Sequence, residues 1–443
     1  MSRWGEAWET GRDFFLRDQG VRTRLERICL IWDLRGRLRL LLRPSDQGGL
    51  DIGDLEQAVD GALASLYPFY QPGEIWWWTK GASPSERAVY EHAWREAERV
   101  DAGPPELRIL ERHVSKELWF AAPEKEPWPL GEDNPPILSF YSFKGGVGRT
   151  TALLSLAIQV AREGKRVVVV DLDLEAPGLL SALPPPEGQE VQGGVVDFLL
   201  EEALVSDPKQ SMDVGEYCYQ IDDPRVLKDG PPLTVVPAGR LDGSYLGKLS
   251  RIDYQHLYRP GAQRRQAPLL TLLKRLRDEL RAEYLLLDNR AGFHDLGGLA
   301  LAGVGHLDVL FGLEGAQSWA GMEVVASFLG RRRLLRQAAQ APCAMVFAMA
   351  PPSGEVRDVA FASFKEHAYD LFAREYYDPE DSQGQWPLPD LDAPEQPHYP
   401  IVLGFDPLLQ AYSRVADVVD RLTTGDYATF AAQVLAKVGR KLS

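Results

Sequence analysis

No other stretch limits the folds open to this chain as tightly as Phe140-Tyr141-Ser142-Phe143-Lys144-Gly145-Gly146-Val147-Gly148-Arg149-Thr150-Thr151. The apolar run Ile137 to Phe143 reads as a buried strand. Thr150 opens an amphipathic helix with Leu153, Leu154, Ala157 and Val160 on one face. A glycine-rich turn between strand and helix is a geometry that cradles phosphate. Its glycines let backbone N–H groups approach the oxygens, and the helix N-terminus adds a favourable dipole. The common pattern GxxxxGK[ST] is not met, because Phe143 stands at its first glycine and Arg149 at its lysine. A plain glycine turn would account for the glycines, but not for Lys144, Arg149 and Thr150 together.

The rest of the chain shows what surrounds that loop. Its 443 residues suggest two or three domains, and 45% hydrophobic with 26% charged residues reads as a soluble globular chain. A net charge of −15 argues against a sequence-independent grip on DNA, which needs a basic surface. Two local basic clusters, Arg331-Arg332-Arg333 with Arg336 and Lys274 with Arg275 and Arg277, read as solvated helix faces. Cys29, Cys218 and Cys343 lie far apart with no CxxC pair, which argues against a metal site and suits a reducing cytoplasm. The N-terminus lacks the apolar core of a signal peptide, and no uncharged apolar run approaches the roughly 18 residues of a membrane span.

Nine of the eleven tryptophans precede residue 130, marking residues 1–122 as a separate small α+β domain. Strands are expected at Arg27 to Trp32, Leu38 to Leu42, Glu74 to Trp78 and Leu107 to Leu110. Helices are expected at Asp51 to Leu66 and Pro84 to Val100. Within Trp76-Trp77-Trp78, alternation sends Trp77 to the opposite face from its neighbours, either into a sheet covered on both sides or toward a docked partner. Five prolines among residues 121–136 read as an extended linker, taken as 123–136.

From 137 to 443, apolar runs alternate with helical patterns. This is the signature of an α/β domain with a doubly wound, mostly parallel sheet. Its strands are read at 137–143, Arg166 to Asp171, Leu233 to Pro237, Tyr284 to Asp288, Leu307 to Leu313, Ala344 to Ala350 and His398 to Phe405. The last helix, Tyr427 to Leu442, carries Phe430, Val434, Leu435 and Val438 on one face. Packing is favoured over membrane binding because its basic face is small.

Carboxylates just past parallel strands lie at the edge where such sheets bind ligands. Asp171-Leu172-Asp173 ends the second strand, and Asp288-Asn289-Arg290-Ala291-Gly292 ends the fourth. The Thr150 hydroxyl suits direct Mg²⁺ ligation, and the backbone from Gly145 to Thr150 suits phosphate. Arg149 is a bulkier grip than lysine, so efficient hydrolysis is less assured than binding.

The run KGGVGRTT, with its lysine at the loop entry, resembles the ParA/MinD family of deviant Walker-A P-loop ATPases. Within that family it resembles the group with Arg in the lysine position. The resemblance covers roughly residues 137–420. It implies ATP and Mg²⁺ as cofactors. The phosphates would be held by Gly145, Gly146, Val147, Gly148, Arg149, Thr150 and Thr151, with the Gly292 amide at the γ-phosphate. Asp173 would orient the attacking water. The metal would be served by Thr150, by Asp171 in support and by Asp288 through a bound water. Lys144 would cross a two-fold interface to the partner's nucleotide, giving an ATP-dependent homodimer.

One departure is that Phe347-Ala348-Met349-Ala350 runs into Pro351-Pro352 without the Asn with which the family reads adenine. Base preference is therefore open. The functional expectation is a slow ATPase switch in a bacterial conflict or regulatory system, with the N-terminal domain recruiting a protein partner. The alternatives are a ParA-like DNA or cargo positioning ATPase, which the acidic charge disfavours, and a nucleotide-binding scaffold without turnover, which Arg149 favours.

Overall fold

The computed structural model describes residues 3–45, 51–116, 119–120, 126–204, 213–254, 267–336, 342–377, 387–410, 412 and 414–442. The chain divides into two compact units, Met1–Glu117 and Leu118–Ser443.

The N-terminal unit is built on a five-stranded mixed sheet. Its strands are β1 (Leu25–Trp32), β2 (Leu38–Pro44), β3 (Ile75–Trp77), β4 (Glu98–Asp101) and β5 (Glu106–Glu111), in the order β3-β2-β1-β5-β4. Alternation along β1 and β2 splits the core. Ile28, Leu30, Leu40 and Leu42 face helices Trp4–Arg17 and Ile52–Leu63, whereas Cys29, Ile31 and Leu41 face helix Pro84–Glu96. Both faces are covered. Trp77 joins the first cluster and donates its indole N–H to Glu56 at 2.9 Å, while Trp76 and Trp78 join the second. The helix read as extending to Val100 stops at Glu96. Glu98–Asp101 pairs antiparallel with β5 as an edge strand instead, and Glu98, Arg99 and Val100 are exposed there.

The second unit carries an eight-stranded sheet. Its strands are β6 (Ile137–Ser142), β7 (Val167–Leu172), β8 (Tyr219–Ile221), β9 (Leu233–Val236), β10 (Tyr284–Asn289), β11 (Leu307–Gly312), β12 (Cys343–Ala350) and β13 (Ile401–Gly404). The order is β13-β12-β11-β6-β10-β7-β9-β8, parallel throughout except β8 against β9. The strands β6, β7, β10 and β11 are buried along their whole length, as strands with helices on both faces must be. The chain leaves β6 toward β7 on one side and later returns to β11 on the other. That reversal opens a crevice at the carboxyl ends of β6, β7 and β10.

The helix after β6, Arg149–Arg162, is more buried than its pattern predicts. Every residue from Ala152 to Ala161 is buried, including Ser155 and Gln159. The face expected to be solvated lies under the C-terminal segments. The Ser155 hydroxyl donates to the Leu422 carbonyl at 2.6 Å, and the Gln159 amide donates to the carbonyls of Leu422 and Tyr427 at 3.2 Å each. The last helix, Gly425–Lys437, spends Phe430, Val434 and Leu435 in the same core. No helix among the described residues is long and apolar enough to cross a membrane.

Two members of the cluster read as a solvated arginine face are interior, while Arg331 is exposed. Arg332 and Arg333 are 2% and 3% exposed. Arg332 pairs with Asp308 at 2.9 Å, and Arg333 donates to the Tyr376 carbonyl at 2.7 Å. Buried guanidinium groups persist only with such partners, which no local pattern announces. Within the proline-rich stretch, Trp128 is buried and donates to the Pro135 carbonyl at 2.8 Å. His306 accepts the Ile137 N–H at Nδ1 and donates from Nε2 to the Trp128 carbonyl, the neutral form that burial also favours.

Candidate functional site

The crevice is built by three loops. After β6 the chain turns through residues 143–148. Gly146 and Gly148 take φ of 72° and 81°, the left-handed region that L residues with a side chain disfavour. A Cβ built on Gly145 or Gly146 meets no atom within 4 Å, so the loop faces open space. The amides from Lys144 to Gly148 belong to no helix or strand ladder, and the turn at Gly145-Gly146 leaves both residues exposed. Gly148 caps the helix that begins at Arg149, so unpaired helical amides add to the same donor set. Free N–H groups without side chains in front of them are what a phosphate needs. Lys144 is exposed at the loop entry, Val147 is buried, and Thr151 lies beside the Tyr412 hydroxyl.

The carboxylates come from β7 and β10. Parallel register sets Asp171 opposite Asp288 on neighbouring strands, and both are essentially inaccessible. Asp288 is held by the phosphate-loop helix. It accepts from Arg149 Nε at 2.7 Å on one oxygen and from the Thr150 hydroxyl at 2.6 Å on the other. The Arg149 fork continues, with Nη2 3.4 Å from Asp173 and Nη1 3.5 Å from the Ser142 hydroxyl. The residue at the usual lysine position thus points into the carboxylates in this structure. Burial disfavours its charge, but Asp288 and Asp173 outweigh that and hold the guanidinium protonated.

Asp171 accepts three backbone N–H groups: Asp173 at 3.1 Å, Gly178 at 3.1 Å and Leu179 at 3.0 Å. It therefore pins the loop after β7. Burial and the charge of Asp288 push its pKa up to about 8, and the N–H donors oppose that rise. Asp173 is also raised, by burial first, against the lowering pull of Arg149 and Arg290.

A raised carboxylate holds its proton more tightly in the folded than in the unfolded chain. That contribution to stability is complete below about pH 4 and is lost as pH rises through the folded value. Asp171→Asn, which cannot titrate, should therefore flatten the fall in stability between about pH 5 and pH 8, read by urea unfolding at several pH values. Equal slopes in the two proteins would overturn this.

The loop after β10 closes the site. The Gly292 N–H donates to the Ser142 carbonyl at 3.1 Å, and its own carbonyl accepts from the Tyr141 hydroxyl at 3.1 Å. Arg290 Nη1 lies 3.0 Å from Glu175 and 3.5 Å from Asp173. His294 bonds Glu175 at 2.8 Å. Nothing in the sequence pattern singles out Glu175 or His294 or fixes a role for Arg290. Their only sequence signal is their place in the loops after β7 and β10, which the sheet brings side by side.

Thr150 and Asp288 fit a divalent ion of modest protein coordination. Among the described residues no cluster of three or more His, Cys, Asp or Glu side chains is placed to hold a metal. The set must be completed by phosphate oxygens and water, which suits Mg²⁺. Near the end of β12, Met349 adopts φ 54° and its Cε comes within 3.6 Å of a Cβ built on Gly148.

Comparisons with known proteins bear on this unit. The iron-sulfur cluster carrier protein of Bacillus subtilis is 47% identical over 70 residues, 15% of this chain and 20% of the relative. The chain spans about a fifth of the length of the curated relatives it matches. Among solved structures, a putative plasmid partition protein of Borrelia burgdorferi bound to AMPPNP is 15% identical. It covers 69% of this chain and 99% of its own, with a TM-score of 0.43. The septum site-determining protein MinD of Pyrococcus horikoshii complexed with Mg-ADP is 17% identical over 68% and 96%, with a TM-score of 0.40. Residues 138–341, a little under half of the chain, match the CobQ/CobB/MinD/ParA nucleotide binding domain, and the loop and all three aspartates lie inside the matched stretch.

Proposed function

We propose that this protein is an ATP-driven switch. Residues 137–443 act as a ParA/MinD-like ATPase domain of the Arg-variant deviant Walker-A group, and residues 1–122 as an adaptor for a protein partner. The observation that carries the reading is the convergence of an open glycine cradle with Thr150, Arg149, Asp173 and Asp288 at the carboxyl edge of β6, β7 and β10.

In this reading the amides from Gly145 to Thr151 bind the triphosphate. Thr150 would hold Mg²⁺ directly and Asp288 through a bound water, with Asp171 in support, and such an ion would supply charge neutralisation on the phosphate oxygens. Arg149 balances Asp288 and Asp173 in the free protein and shares Asp288 once the site is loaded. Asp173, held by the Ala176 N–H at 3.2 Å, orients the attacking water. The Gly292 amide reaches the γ-phosphate by leaving Ser142. Nucleotide state then controls dimerisation or partner docking, in a bacterial conflict or regulatory setting.

The test is calorimetry of the full chain with ATP, GTP and ADP, with and without Mg²⁺, followed by turnover. Magnesium-dependent ATP binding and hydrolysis on the order of 10⁻⁴ to 10⁻² s⁻¹ are expected. A chain that binds no nucleotide overturns the reading.

Lys144 tests the assembly. It is exposed at the loop entry, and two triphosphates brought face to face repel unless each side supplies a cation. Lys144→Ala should leave ATP affinity within about threefold of the parent yet abolish the ATP-dependent dimer in light scattering. A parent protein that stays monomeric with nucleotide bound would overturn the homodimer.

A further inference from the structure

We infer that Trp119 is the residue through which the loop after β10 reports nucleotide occupancy to the chain arriving from the N-terminal unit. The inference rests on the nucleotide-binding reading above and names an output for that site. Trp119 lies two residues beyond the boundary of the N-terminal unit, and it is 8% exposed.

Its surroundings are the sensing loop. The indole N–H donates to the His294 carbonyl at 2.8 Å. Its ring meets Phe293 edge-on at 5.3 Å and 88°, with Tyr141 at 6.1 Å and Phe328 at 5.3 Å. The short helix Asp295–Leu299 accepts the ring because Gly298 has no side chain: a Cβ there would lie 2.7 Å from the indole. Gly297 makes the same allowance for Tyr141, at 3.1 Å.

Phe293 is the joint of the relay. On its other side it meets Phe143 of the phosphate loop at 5.0 Å. Phe143 is itself wedged on helix Ala316–Arg336, where a Cβ on Gly321 would lie 2.0 Å from its ring. Phe293 follows Gly292, whose N–H is held by Ser142 in this structure. A phosphate that takes that N–H draws Gly292 off Ser142 and carries Phe293 with it. Phe143 cannot yield toward Gly321. Phe293 is itself 37% exposed, so what its movement changes is its two ring contacts, and with Phe143 blocked the change is read at Trp119. Trp119 has no side-chain role in holding phosphate or metal, which makes it separable from binding.

The experiment is hydrogen exchange on the full chain with ADP and with a non-hydrolysable ATP analogue, alongside calorimetry with both. Protection of the peptide covering residues 112–120 should differ by about twofold or more between the two nucleotides. Gly298→Ala, which evicts the indole, and Trp119→Ala should each erase the difference while nucleotide affinity stays within about threefold. Trp119→Phe, which keeps a ring against Phe293, should restore part of it. The inference is overturned if the parent shows no difference with both nucleotides demonstrably bound, or if the difference survives in Gly298→Ala and Trp119→Ala. Failure to bind either nucleotide in calorimetry would instead overturn the nucleotide-binding reading, and this inference with it.

Discussion

Asp288→Ala should be the most destabilising single change in the crevice, by about 3–5 kcal/mol. The carboxylate is 1% exposed and its main partner, Arg149, is 8% exposed. Removing it strands a guanidinium that cannot discard its charge, leaving only Asp173 at 3.4 Å and the Ser142 hydroxyl at 3.5 Å. The Thr150 hydroxyl loses its acceptor as well. Urea unfolding with nucleotide withheld isolates this effect from any loss of ligand. The double variant Asp288→Ala with Arg149→Met should recover much of the deficit, because an apolar pair of similar bulk escapes the desolvation that a lone buried ion suffers. A single variant within about 1 kcal/mol of the parent would mean that the pair is not the anchor its geometry implies.

Asp173→Asn should separate binding from turnover. The side chain is partly buried and held by Arg149, Arg290 and the Ala176 N–H, so an amide of equal size keeps the loop in place. Arg149 retains Asp288 and Arg290 retains Glu175, so neither cation is orphaned. Affinity for Mg-ATP should stay within about fivefold. Loss of a group that positions or activates the attacking water should lower hydrolysis by about 10²- to 10⁴-fold. Single-turnover phosphate release measures this directly. A variant that hydrolyses at the parental rate would remove Asp173 from the reaction and return that role to another group in the crevice.

The elements around the phosphate loop were legible because each depends on near neighbours in sequence. Val-rich and Leu-rich runs become strands buried on both faces. Gly146 and Gly148 supply the left-handed turns, and the aspartates at the ends of β7 and β10 follow from a parallel sheet presenting its carboxyl edge. The sequence could also place Trp77 opposite Trp76 and Trp78, since a strand has a period of two.

What it could not supply was pairing across long separations. Arg149 and Asp288 are 139 residues apart, and only their strand and helix neighbours bring the fork onto the carboxylate rather than into the open cradle. Arg332 and Arg333 look solvated in sequence because burial is decided by Asp308 and by the carbonyls of distant segments. The helix Arg149–Arg162 reads as two-faced, yet the chain end some 260 residues later covers its second face. Trp119 stands in what reads as the approach to a linker. Its place on Gly298 exists only once β6, β10 and the helix after β10 are assembled, because that contact depends on the absence of a Cβ at a residue far along the chain. Local periodicity determines which elements form. Which charges meet, and which ring reads which loop, is decided by packing at contact distance, which the order of residues does not encode locally.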